Sequence, residues 1–98
     1  MMENRLSRAI CVYVGYGRHP LPALYPEDVL QVLGPERARE LLPKVDEIVA
    51  FAVNRSIGAE IDLPNIGRDA ATAAAHKYPG LGGRARKALA WYVAHHWR

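Results

Sequence analysis

The side chains best equipped for chemistry are four histidines (His19, His76, His95, His96), one cysteine (Cys11), two serines (Ser7, Ser56) and two adjacent carboxylate pairs (Glu27-Asp28, Asp46-Glu47). Neighbouring residues on a helix point about 100° apart, so His95 and His96 do not easily share a metal ion. Neither an HExxH pattern nor a Cys-His zinc spacing is present. Gly15-Tyr16-Gly17 matches part of a phosphate-binding loop, but it lacks the third glycine and a helix starting behind it. Two glycines that end a helix explain it better. Neither serine sits in a nucleophile elbow, and an apolar run around Cys11 disfavours its thiolate. Both carboxylate pairs fall where a first helical turn or a solvated face expects acids. The sequence therefore predicts no catalytic residue, no metal ligand and no cofactor, and points to binding.

Charge is unevenly distributed. Thirteen Lys and Arg stand against ten Asp and Glu, a net charge of +3. From Arg68 to Arg98 there are six bases and one acid, whereas Glu27 to Asp62 holds eight acids and four bases. Two oppositely charged surfaces follow, and they bear on partner choice more than the total does. Arg84, Arg86 and Lys87, with Arg68, Lys77 and Tyr78, form a set able to contact phosphate, which makes a small nucleic-acid-binding regulator the alternative function. There is no recognition-helix sequence, RNP-like motif or basic tail to strengthen it.

The elements that must position these residues read as helices. Leu6, Ala9, Ile10 and Tyr13 are spaced along one helical face between about Asn4 and Tyr16. Ile10 to Val14 also has β propensity, but no second strand-like run exists to pair with it. Gly15, Gly17, Pro20 and Pro22 end that element. Pro26-Glu27-Asp28 suits a first turn, Val29, Leu30, Val32 and Leu33 give an apolar face, and Gly34 stops it. Pro35-Glu36 opens the clearest stripe in the chain: Ala38, Leu41, Leu42, Val45, Ile48, Val49 and Ala52. Pro43 lies inside this pattern and either kinks one helix or separates two. Asn54 to Glu60 reads as a connector, with Asp62 as N-cap of an alanine-rich helix running to about Tyr78. After the turn at Pro79–Gly83, a last helix buries Ala85, Ala88, Leu89, Tyr92, Val93 and one or both of His96 and Trp97. Trp91 is expected to be covered if this last helix is the central one. The predicted fold is one all-α domain over residues 1–98, a compact bundle of four or five helices.

Ninety-eight residues with half of them hydrophobic are enough for one core without metal or disulfide support. A lone cysteine fits a reducing compartment. No apolar run approaches the roughly 20 residues that span a bilayer. Arg5 and Arg8 before Ala9–Val14 imitate a secretory signal, but Glu3 and the early Gly15 and Gly17 argue against it. A cytoplasmic protein without a membrane partner is expected.

Lys77-Tyr78-Pro79-Gly80-Leu81, then Ala88-Leu89-Ala90-Trp91-Tyr92 and the final Trp97-Arg98, resemble the C-terminal part of small helical immunity proteins that accompany bacterial polymorphic or contact-dependent toxins. Leu41-Leu42-Pro43-Lys44-Val45 is similar too, so the resemblance covers Glu36 to Arg98 at most. The chain departs from it at Gly82-Gly83-Arg84, where such proteins often carry a serine and an acid, and at His95-His96. The resemblance implies a protein that neutralises a cognate toxin domain by occluding its active site. Glu36, Glu40, Asp46, Glu47 and Glu60 would then meet a basic nuclease-like surface, with Trp91 and His95 as further partner contacts.

Overall fold

Gly15, Pro26, Gly34 and Pro35 stand at borders of the elements, as the sequence predicts. The computed structural model describes residues 4–57 and 63–97. Within them the chain forms five helices and no strand: α1 (Arg5–Val14), α2 (Pro26–Leu33), α3 (Pro35–Ser56), α4 (Leu63–Lys77) and α5 (Gly83–His96). The fold is an all-α bundle. Glu60 and the expected N-cap Asp62 lie outside the described residues.

The most fully covered helix is α1, whereas α5, which the sequence left either central or partly open, buries only one side. Ser7 and every residue from Ala9 to Val14 are buried, and α1 packs against α2, α3 and α5. A run of six apolar residues has no polar side to turn to water, so the helix must be covered all round. Its ends are fixed by polar groups. The Asn4 side chain accepts the Ser7 N–H at 2.7 Å and donates to the Gly80 carbonyl. The fully buried Ser7 Oγ accepts the Gly82 N–H at 2.9 Å, which stitches the start of α1 to the α4–α5 turn. Gly15 ends the helix two residues before the expected Tyr16. Its φ of +84° suits glycine, and a Cβ there would stand 2.5 Å from the Tyr25 ring.

α3 is one continuous helix of 22 residues with Pro43 inside it, so Pro43 does not separate two helices. Proline removes the hydrogen bond to the Arg39 carbonyl, but both residues are exposed and water can serve that oxygen. The buried stripe is Ala38, Val45, Ile48, Val49 and Ala52, with Leu41 and Leu42 half-buried. The helix also runs to Ser56, past the expected start of a connector at Asn54. On α2 only Val29 is fully covered, and Leu30, expected on the apolar face, is 42 % exposed.

α4 and α5 pair closely because their contact residues are small. Ala70, Ala71 and Ala74 are buried on α4, and Ala85 and Ala88 on α5. A Cβ on Gly67 would stand 2.3 Å from the Ala90 carbonyl oxygen, so only glycine permits this approach. Tyr92 is half-buried, and both His96 and Trp97 are exposed, contrary to expectation. The stripe of α5 runs past the helices that cover it; Trp97 stays 37 % exposed, its indole N–H donating to Ser56 Oγ at 2.7 Å. Replacing Gly67 by alanine should push α4 from α5 and cost roughly 1–3 kcal/mol. A fall in Tm with the helical circular dichroism retained is the expected result.

Candidate functional site

Helical spacing places Glu36, Glu40 and Glu47 in one row along the outward side of α3, opposite the buried line of Ala38, Val45 and Ala52. All three carboxylates are exposed. Asp46 leaves this row: its carboxylate accepts the Tyr13 hydroxyl at 3.0 Å and so serves the contact between α3 and α1. Burial, and then the Asp46 hydrogen bond, push the Tyr13 pKa up to about 12. The half-buried Tyr92 is raised as well, first by burial and then by the Asp46 charge.

Glu47 is oriented by a different neighbourhood. It accepts the Tyr78 hydroxyl at 2.6 Å and pairs with Lys44 at 3.4 Å. The hydrogen bond from Tyr78, followed by the Lys44 charge, holds its carboxyl below the usual range. The same bond raises the Tyr78 hydroxyl to about 12. Around them, Tyr78 meets Phe51 edge-to-face at 5.9 Å, and Lys77 lies over the Phe51 ring at 4.7 Å. Glu36 and Glu40 enter no ion pair among the described residues.

Trp91 and His95 share a face of α5 but differ in surroundings. Trp91 is half-buried, edge-to-face with Tyr16 at 5.6 Å, whose ring also carries the Arg84 guanidinium at 5.6 Å. His95 is exposed in the last turn. No hydrogen bond, ion pair or ring contact among the described residues joins Trp91 or His95 to the α3 row.

The cations grouped in the sequence are split three ways. Lys77 and Tyr78 belong to the α3 side, as above. Arg84 lies toward α1, sharing a hollow with Arg8, Tyr16 and Arg18. Arg68, Arg86 and Lys87 line an open groove of about 410 Å³ between α4 and α5. A second hollow, with His76, adjoins it through Thr72 and Arg86. The alanine-rich helix and these bases are both legible in the sequence, but their meeting in one groove is not, although Gly67 beside Arg68 marks where the helices approach.

His19, Asp28 and Ser56 have structural partners, whereas Glu27 is exposed with no ion pair among the described residues. His19 stacks on Tyr25 with ring centres 3.8 Å apart, and its Nε2 lies 2.7 Å from Asp28. Arg18 adds an ion pair to Asp28 at 3.5 Å. This clamp folds the segment after Gly15 onto α2, and the His19 hydrogen bond leads in lowering the Asp28 pKa. Ser56 Oγ donates to the Val53 carbonyl, and Cys11 is a buried side chain of the core. Among the described residues no three His, Cys, Asp or Glu side chains gather at a metal-binding spacing, and no helix is long and apolar enough to cross a membrane.

What the fold and its surfaces define is a class, an all-α five-helix bundle with segregated charge. No protein-family model, curated protein or solved structure matches the chain.

Asp28 and Glu47 both ionise more readily in the fold than in the unfolded chain. Each therefore adds stability above the ordinary carboxylate range, and that stability is lost as the pH falls through the lowered pKa. Melting temperatures taken from neutral to acid pH should fall on the acid side, and more shallowly for Asp28→Asn. Tyr78→Phe should return the Glu47 titration, followed by carboxyl NMR, toward an ordinary glutamate. At the alkaline end, Tyr13 and Tyr78 should ionise only near pH 12 in ultraviolet difference spectra.

Proposed function

We propose that the chain is a binding protein that neutralises a bacterial toxin domain by covering its active site, in the manner of the immunity proteins its C-terminal segments resemble. The observation that supports this most directly is the carboxylate row Glu36, Glu40 and Glu47, displayed on the solvent side of a helix whose other side is locked in the core. A rigid row of acids suits a surface built to hold phosphates, as a nuclease cleft is, and it steers encounter through long-range attraction. Glu47 is held in place beforehand by Tyr78 and Lys44, which lowers the ordering cost on binding. Asp46, occupied by Tyr13, contributes to the scaffold rather than to the row. Trp91 and His95, which no contact among the described residues joins to the row, would be further contacts on α5.

The test is the association rate with whichever purified toxin domain the neighbouring genes encode, measured by surface plasmon resonance at low salt; a neighbourhood that encodes none counts against the reading. Glu36→Lys/Glu40→Lys should slow association by roughly tenfold or more while the dissociation rate changes less. Both positions are exposed, so the variant should keep its Tm. An unchanged association rate removes the α3 row as the partner surface.

A further inference from the structure

We infer that the groove between α4 and α5 is a second docking surface, and that its occupant is an acidic amphipathic helix of a protein partner. This rests on reading the chain as a binding protein, but it concerns a different surface of opposite charge.

The shape comes from the small residues. Gly67 lets α4 sit against the Ala90 backbone, and Ala71, Gly83 and Ala90 are too short to fill the seam that remains. The result is an open trough of about 410 Å³, to which another backbone can come close. Its charge comes from both walls, Arg68 on α4 and Arg86 with Lys87 on α5. None of the three enters an ion pair among the described residues, and no acid lines the groove. A helix laid in it would bury an alanine- or leucine-bearing face on the floor and set carboxylates on both flanks beside the cations.

The lining also selects against single-stranded nucleic acid. Single strands are held by rings on which bases stack, and no aromatic residue lines this groove. Tyr16 and Trp91 are packed on each other toward α1, and Phe51 and Tyr78 belong to the α3 side.

The probe is a fluorescein-labelled helical peptide of about 18 residues, a length that holds some helix in water, with an Ala/Leu stripe flanked by glutamates. A matched peptide with lysines for the glutamates is the control, and a DNA duplex and a single-stranded RNA are the competitors. The full chain should bind the acidic peptide saturably, with an affinity that falls as salt is raised. Arg68→Glu/Arg86→Glu/Lys87→Glu should weaken it by about tenfold or more. Thr72→Trp, which fills the groove and leaves every charge in place, should weaken it too, with Tm measured for each variant. Glu36→Lys/Glu40→Lys should leave peptide binding unchanged, so failure of the toxin reading and failure of the groove are separable. Equal binding of the two peptides, or affinity retained in both groove variants, overturns the inference. So does DNA or RNA that binds more tightly than the acidic peptide and is lost in the charge variant.

Discussion

The fold depends on the burial of α1 from all sides. Ile10 and Val14 are wholly inaccessible and Cys11, Val12 and Tyr13 nearly so, and each large apolar side chain so covered contributes on the order of 1.5–3 kcal/mol. A helix without a polar side must satisfy its ends elsewhere. Asn4 and Ser7 do this at one end through the α4–α5 turn. At the other end, the Tyr25 N–H reaches the Tyr13 carbonyl at 2.7 Å and the Ala23 N–H the Val14 carbonyl at 3.4 Å. The proline-rich stretch before α2 is thus held against the end of α1. The His19–Tyr25–Asp28 clamp fixes the same stretch from outside.

Sheathing α1 also decides which charges remain for a partner. Tyr13 and Tyr78 are nearly buried, and their hydroxyls cannot give up hydrogen bonding without a penalty. They take Asp46 and Glu47 from α3 as acceptors. Two of the acids counted in the sequence are therefore engaged within the bundle, whereas Arg68, Arg86 and Lys87 are not. A phenol is neutral, so Asp46 and Glu47 keep their negative charge on α3, as the three cations keep their positive charge around α4 and α5. Over the roughly 8–10 Å that charge acts in physiological salt, such local differences matter more than the net value.

Much of this was legible in the sequence. Pro26, Gly34 and Pro35 gave the borders of α2 and α3 because each acts through local backbone geometry, and the 3.6-residue stripe of α3 emerged from side-chain spacing alone. That α1 is covered all round was not legible. Ile10–Val14 is apolar on every side, so periodicity neither names a buried face nor distinguishes helix from strand. The pairings Tyr13–Asp46 and Tyr78–Glu47 join residues 33 and 31 positions apart, and no local pattern encodes them. His96 continues the spacing of Leu89 and Val93, yet it is exposed, because spacing does not say where the covering helices end. The separation of Arg84 from Arg86, two residues on, follows from helical geometry, but that of Lys87, three residues on, depends on the neighbours of α5, which are set by the fold.

Small residues at the α4–α5 contact have two consequences that pull in different directions. Glycine and alanine let the two backbones approach, but each buries little area, so this pair gains less hydrophobic stabilisation than one filled with leucine. Apart from Ile66 on α4, the large buried side chains of the helices lie on α1, α2, α3 and α5. Because α1 and its sheath carry the core, the α4–α5 seam need not be filled from within. It stays as a shallow trough edged by cations, and an apolar surface coming from outside is what its floor lacks.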